Sequence, residues 1–273
     1  MASRPSRAIH ALLATLILAA VSPAWAVDGV VLIDQNRALA GNVTPGDTPG
    51  FPVTISLSGS YRLSGNLTVP NENTTAIEVT SSAGAVSIDL NGFAILGPTT
   101  CDVSIPPVCG PVAADPSNIF GPGTGIRSSA TGSLTVRNGS IRGMGRYAVF
   151  VVGAPLAIAD GLQVRDCGLG GLFLGIANVY DSVLSRNGGA GILINQGVVR
   201  GNLITRNGSS GILSTGLQLT VIENEIIQNG GAGIEFGATG AYGGNVLSSN
   251  IGGSVVGSGI QVSGNVCNGV LCP

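Results

Sequence analysis

Short aliphatic segments alternate with Gly, Asn and Ser along most of the chain. From about residue 125 onward, segments of two to five residues rich in Val, Ile and Leu are separated by turns rich in Gly and Asn. These segments are too short for amphipathic helices, whereas short β-branched runs bounded by turn residues are typical of strands. The pattern therefore predicts an all-β protein built from many short strands.

The aliphatic segments recur every 20–23 residues, and alignment of the repeats produces two apolar columns. The first column contains Ile141, Val164, Leu184, Ile204, Ile226, Leu247 and Cys267. The second contains Val149, Leu172, Ile192, Ile212, Ile234 and, after a longer step, Ile260. A leucine-rich repeat would need a helix or a 3₁₀ segment in each unit, so stacked strands are favoured. Residues one repeat apart then lie above one another, as in a parallel β-helix with rungs about 4.8 Å apart.

Asn-Gly pairs mark one corner of each predicted rung: Asn187-Gly188, Asn207-Gly208 and Asn229-Gly230. Stacked Asn amides can hydrogen-bond along the axis of a coil, and Asn tolerates left-handed backbone angles. We expect the glycines to supply positive φ at the turn. The Asn column is interpreted as a packing feature and not as a binding site.

The chain is predicted to contain a cap followed by a coil. Residues 27–75 are less regular and are assigned to an N-terminal cap, because the open end of a solenoid exposes its core. Residues 76–273 are assigned to the parallel β-helix. Within it, 99–124 form a Pro-rich loop that contains two Cys residues, and a second Cys pair is expected to pin a C-terminal cap.

Residues 1–26 have the features of a signal peptide. Arg4 and Arg7 precede an apolar run, and Ala24-Trp25-Ala26 forms a cleavage site with small residues. The run is shorter than a membrane span needs, and no later segment is predicted to cross a membrane. We therefore expect an exported protein that is periplasmic, cell-surface or extracellular.

Export permits disulfides, and the five Cys residues suggest two short-range bridges. The simplest pairing joins Cys101 to Cys109 and Cys267 to Cys272. Cys167 is left over. A buried small apolar side chain is favoured over a nucleophile for Cys167, because the predicted mature chain offers no base.

The composition excludes several kinds of chemistry. All 12 basic residues are Arg, and the only His, His10, lies in the predicted signal peptide. Ser-His-Asp and Cys-His catalysis, His-bound zinc, Schiff-base lysines and Walker A loops are thereby excluded from the mature chain. Ten Arg against 14 acidic residues remain after cleavage, which argues against nucleic acid as a partner.

The segment Ile88-Asp89-Leu90-Asn91-Gly92-Phe93 and the repeated Gly-Ile…Asn-x-Ile-x-x-Asn-Gly units resemble right-handed parallel β-helix proteins with pectin-lyase-type coils. The chain is especially similar to an exported bacterial group of this fold. The resemblance covers nearly the whole mature chain and implies a right-handed solenoid, with polysaccharide as a possible partner. The resemblance does not imply a hydrolase active site, because the Asn-Thr-Asp, Asp-Asp and Gly-His-Gly motifs of the polygalacturonase-like members are absent.

Two sets of residues could still support sugar chemistry. Arg142 and Arg165 share a column, and with Asp166 they could serve a pectate-lyase-like reaction in which an Arg is the base and calcium binds to Asp166 and Asp181. Glu223 and Glu225 are expected to alternate along one strand, at a separation compatible with a glycosidase pair. Solvated surface pairs are the favoured interpretation of both sets.

The sequence thus favours an exported, non-catalytic β-helix protein that acts as a surface, structural or carbohydrate-binding module, without a cofactor. The alternative is a polysaccharide lyase or glycoside hydrolase acting on acidic glycans, and calcium is expected only for the lyase.

Overall fold

The computed structural model describes residues 29–114, 123–216 and 218–272, and the predicted signal peptide lies outside these ranges. The described chain winds into three parallel sheets, because each strand pairs with strands one repeat before and one repeat after it. Several long strands bend at a corner and contribute to two sheets. The predicted all-β parallel solenoid is confirmed, with α1 (Gln35–Ala40) as the one helix in the described ranges.

The first sheet contains nine strands in the described residues. They are β2 (Val53–Ile55), β5 (Ile77–Val79), β10 (Ile126–Ser128), β12 (Tyr147–Val151), β18 (Ile212–Ser214) and the first parts of β14 (Gly170–Tyr180), β16 (Ile192–Arg200), β21 (Ile234–Gly243) and β23 (Val255–Gln261).

The second and third sheets follow in each rung. The second contains β1 (Val30–Ile33), β3 (Gly59–Leu63), β6 (Val86–Asp89), β19 (Leu219–Ile222), the first parts of β11 (Leu134–Arg142) and β13 (Ala157–Arg165), and the ends of β14, β16, β21 and β23. The third contains β4 (Leu67–Thr68), β7 (Ala94–Leu96), the ends of β11 and β13, β15 (Val183–Ser185), β17 (Leu203–Thr205), β20 (Glu225–Ile227), β22 (Val246–Ser248) and β24 (Val266–Cys267), with β25 (Val270–Leu271) antiparallel to β24.

Inward-facing aliphatic side chains form a continuous core. The first predicted column is confirmed from Ile141 to Cys267, and all its members are buried. The second is confirmed from Val149 to Ile234. The placement of Ile260 in that column is wrong, because Val255 continues the column in the last rung. Val255 pairs with Ile234, and Ile260 is exposed on the second sheet.

Two columns of Asn side chains brace the corners of the coil. At the second corner, between the second and third sheets, the column is Asn202, Asn224, Asn245 and Asn265. At the third corner, between the third sheet and the next rung, it is Asn187, Asn207, Asn229 and Asn250. Each Nδ2 donates to the Oδ1 of the next Asn at 2.9–3.0 Å. The predicted hydrogen bonding along the axis is confirmed.

Positive φ occurs one residue before each Asn of the third corner. Arg186, Arg206 and Gln228 adopt φ of 51°, 55° and 56°, whereas the glycines after the Asn residues lie outside the left-handed region. The prediction that these glycines supply positive φ is wrong. A Cβ on Gly208 would lie 2.1 Å from the carbonyl oxygen of Gly188. Glycine is therefore required by the close approach of successive rungs.

The parallel sheets begin before residue 76, within the segment 27–75 that is predicted as a cap. Strands β1 to β4 all pair in register with later strands. Helix α1 follows β1, and the side chain of Gln35 accepts from the Thr68 N–H and donates to the Thr68 carbonyl. This contact covers the edge of β4, so α1 caps the third sheet. No helix in the described residues is long and apolar enough to cross a membrane.

The described part of the loop predicted at 99–124 contains a hairpin of β8 (Thr100–Cys101) and β9 (Cys109–Gly110). It lies along the third corner, since a Cβ on Gly188 would be 3.3 Å from Cys109 Sγ and one on Gly230 would be 3.0 Å from Pro106 Cβ. Both predicted disulfides, Cys101–Cys109 and Cys267–Cys272, are present.

Candidate functional site

The outer face of the third sheet carries a row of arginines beside the third corner. Arg142 and Arg165 are neighbours in the register of β11 and β13, as predicted. Arg186 and Arg206 follow β15 and β17 at the corner itself. We define the arginine groove by its four arginines and the carboxylate that two of them share: Arg142, Arg165, Asp166, Arg186 and Arg206.

The arginine groove consists of two depressions that meet at Arg165. The larger has a volume of about 550 Å³. It is lined by Arg165, Ser185, Arg186, Leu203, Thr205, Arg206, Glu225, Ile227 and Gln228. The smaller, of about 300 Å³, is lined by Arg142, Arg165, Asp166 and the base of the disulfide hairpin at Thr99 and Thr100. A ligand lying in the groove would therefore contact several successive rungs.

The centre of the arginine groove is an ion-pair cluster. Arg165 Nη1 donates to Asp166 Oδ2 at 2.8 Å, and Arg186 donates through Nε and Nη2 to both Asp166 oxygens at 3.0 Å. The residue Asp166 is 8% exposed. Bidentate guanidinium–carboxylate contacts of this kind are both strong and oriented. Two guanidinium groups share one carboxylate, so the cluster keeps a formal charge of +1.

The two ends of the arginine groove carry cations without a carboxylate partner. Among the described residues, neither Arg142 nor Arg206 makes a salt bridge. Arg206 Nε donates to the neutral Gln228 Oε1 at 3.1 Å. Both arginines are exposed. Their guanidinium groups are thus available to carboxylate, sulfate or phosphate groups of a ligand.

The predicted pairing of Glu223 and Glu225 on one strand face is wrong. Glu223 lies at the second corner with φ of 58°, where it accepts from Arg200 Nε at 2.7 Å. Asn224 is buried in the corner column, and Glu225 then begins β20 and lines the arginine groove. The chain turns between the two carboxylates, so they do not form the side-by-side pair expected for a glycosidase.

The predicted proximity of Asp166 and Asp181 is also wrong. Asp181 lies at the second corner, before β15, whereas Asp166 lies at the third corner, after β13. Both oxygens of Asp166 are already engaged by arginines. In the described ranges, no three His, Cys, Asp or Glu side chains come together to hold a metal ion. These residues do not fit the calcium site that the lyase alternative requires.

Cys167 is a free, fully buried cysteine at the first position of the third-corner Asn column. Its backbone N–H donates to Asn187 Oδ1 at 3.1 Å. Burial raises the pKa of the Cys167 thiol to about 12. The thiol is therefore protonated at neutral pH and inaccessible, which agrees with the predicted packing role.

Residues 118–270 match a family model described as the right-handed β-helix region. The chain belongs to the right-handed β-helix family. No curated protein and no solved structure matches it. Membership of the right-handed β-helix family accounts for the coil and its columns, but it assigns no activity, since function depends on the side chains that a fold displays.

Three residues of this β-helix surface, Arg186, Arg206 and Gln228, were not among the predicted site residues. All three occupy the repeat position immediately before a third-corner Asn, the position that also holds Asp166. In the aligned repeats, this column is the one in which charged residues occur and the residue type varies between rungs. That combination could have identified it as a candidate binding surface.

Proposed function

We propose that this β-helix protein is an exported, non-catalytic module that binds an acidic polysaccharide along the arginine groove. The observation that carries the proposal is the pair of exposed arginines, Arg142 and Arg206, that have no carboxylate partner in the described residues. Arginine binds carboxylates with two parallel hydrogen bonds, so a uronate or another acidic sugar matches these side chains.

The floor of the arginine groove also suits a sugar chain. Ser185 and Thr205 present hydroxyl groups along the floor, while Leu203 and Ile227 add partly exposed aliphatic surface. Ligand sites commonly combine apolar lining with a few convergent polar groups. The hydroxyls can exchange hydrogen bonds with sugar hydroxyls, and the aliphatic side chains can pack against the C–H faces of the rings.

The geometry of the groove favours binding over catalysis. A lyase would need Arg142 or Arg165 as a base. Arg165 already donates to Asp166 at 2.8 Å, and arginine side chains stay protonated in proteins. A glycosidase would need two carboxylates beside the sugar, and only Glu225 of the predicted pair lines the groove. Polysaccharide lyase or glycosidase activity therefore remains the second candidate function.

Export is supported by the two disulfides, because disulfides persist in oxidising compartments. The signal peptide predicted at 1–26 points to the same location. An acidic glycan of a cell surface or of the surroundings is the ligand class that an exported protein of this kind would meet.

Titration calorimetry of the mature protein with polygalacturonate, alginate and a neutral glucan tests the binding function. We expect the two acidic polymers to bind, with an affinity that falls as salt is raised, and the neutral glucan not to bind. Arg142→Gln should weaken binding of the acidic polymers by about tenfold, the equivalent of about 1.4 kcal/mol. Arg200→Gln is the matched control, because it removes the same charge from the second sheet. Equal binding of the neutral glucan, or equal losses in both variants, would contradict the proposal.

Product formation distinguishes binding from catalysis. Prolonged incubation with either acidic polymer should release neither unsaturated products, followed by ultraviolet absorbance, nor new reducing ends. Release of unsaturated product by the wild type that Arg165→Ala abolishes would instead establish the lyase function.

A further inference from the structure

We infer that the arginine groove engages two acidic groups of one ligand at once, the first at Arg142 and the second at Arg206. The inference rests on the proposed function and narrows its ligand to a linear polyanion long enough to bridge the two arginines. A glycan with a single acidic group, or a short acidic oligomer, would reach only one of them.

The register of the third sheet sets the distance between the two arginines. Arg142 ends β11, Arg206 directly follows β17, and the strands β11, β13, β15 and β17 are consecutive neighbours. Three rung steps separate the two side chains, which corresponds to about 14 Å along the axis of the coil. A ligand lying along the groove must place acidic groups about this far apart to contact both.

The ion pairs between the two ends of the groove explain why acidic groups of a ligand should bind most strongly at the ends. Arg165 and Arg186 are both committed to Asp166, so a ligand can use them only by competing with a largely buried carboxylate. Arg142 and Arg206 form no salt bridge in the described residues, although Glu225 lines the same depression as Arg206. An acidic group therefore gains more at either end than at the centre of the groove.

The coil holds the second arginine in place for a ligand that has bound the first. Arg206 immediately precedes Asn207, whose amide is hydrogen-bonded to the rungs above and below. Arg142 lies in the paired part of β11, between β7 and β13. Because the spacing is fixed, the second contact is intramolecular and benefits from a high effective concentration.

Binding of galacturonate oligomers of defined length tests this inference. We expect the octamer to bind about tenfold more tightly than the dimer, because only the octamer can make the second contact. A longer chain can also bind in more registers, which by itself raises its affinity. The arginine variants distinguish this statistical effect from the two-point contact. Arg142→Gln and Arg206→Gln should each weaken octamer binding by about tenfold or more and bring it close to dimer binding. The double variant should lose about a further tenfold for the octamer, because the one end contact that remains in either single variant is then removed.

Arg200→Gln, on the second sheet, should leave the affinities for both oligomers unchanged. Octamer and dimer binding with similar affinity, or a preference for the octamer that persists in either single variant, would refute the two-point contact while leaving the acidic-glycan function intact. Failure of every acidic oligomer and polymer to bind would refute the proposed function, and the two-point contact with it.

Discussion

Two columns of residues lie side by side at the third corner, and they differ in almost every respect. One is nearly uniform, since Asn occupies it in four successive rungs and Cys167 in the rung before. The column one residue earlier varies from rung to rung: Asp166, Arg186, Arg206, Gln228 and Ser249. The uniform column is buried apart from its last Asn, whereas the varied column points to solvent or into the arginine groove.

Hydrogen bonding explains the difference. Asn207 accepts from both the backbone N–H and the Nδ2 of Asn187, and it donates to Leu184 and Asn229. No other side chain reproduces that set of one acceptor and two donors at this length. The varied column is constrained only by its positive φ, a backbone condition that leaves the end of the side chain free. In this repeat the fold is specified by one residue, and the surface chemistry is specified by its neighbour.

The largest expected effect comes from breaking the uniform column. Asn207→Ala removes four hydrogen bonds inside the corner. The buried N–H and Nδ2 groups of Asn187 lose their acceptor and the Leu184 carbonyl loses a donor, whereas Asn229 Oδ1 keeps the Asn207 backbone N–H. We expect a loss of about 3–4 kcal/mol in the free energy of unfolding, because each unsatisfied buried polar group costs about 1–3 kcal/mol. The shift of the urea midpoint, followed by circular dichroism, measures it.

The exposed Asn195, which accepts one hydrogen bond from Thr215, provides the matched control. Asn195→Ala should cost less than about 1 kcal/mol. A similar small cost for Asn207→Ala would mean that the uniform column does not brace the corner.

The contrast between the columns also explains what could be predicted from the sequence. The aliphatic columns and the Asn column repeat at fixed spacing, so alignment alone predicted the register from Ile141 to Cys267. One error lies in the last rung, where Val255 and not Ile260 continues the second column. The other lies at the corner residue Asn224, which separates Glu223 from Glu225. The ion-pair cluster at Asp166 could be foreseen only in part, since Arg186 approaches Asp166 from the next rung.

A smaller effect is expected from removing the charge of Asp166. Asp166→Asn leaves Arg165 and Arg186 side by side without their shared carboxylate. We expect unfolding to become easier by about 1–2 kcal/mol, because two charge-assisted contacts are lost and both arginines are partly exposed. The urea midpoint again measures the change.

The same Asp166→Asn variant should bind acidic oligomers more tightly at low salt, because the centre of the groove gains a positive charge. The dimer should benefit more than the octamer, so the preference for length should shrink. Asp89→Asn is the control, since Asp89 lies near Arg62 and Arg137 on the second sheet. Tighter dimer binding in Asp89→Asn as well would assign the effect to net charge and not to the groove.

The smallest effect on stability should come from Arg206→Gly. This variant keeps a residue that tolerates the positive φ of the varied column and removes the guanidinium group that would bind the ligand. Arg206 adopts φ of 55°, where glycine avoids the steric cost of a Cβ but loses more conformational entropy on folding. We expect stability to rise by about 0.5 kcal/mol while binding of the octamer falls as it does in Arg206→Gln. Arg206→Gln keeps the Cβ and should leave the urea midpoint within about 0.5 kcal/mol of the wild type. If Arg206→Gly instead destabilised the coil by more than about 1 kcal/mol, the arginine side chain would itself brace the corner, and the division between the two columns would fail.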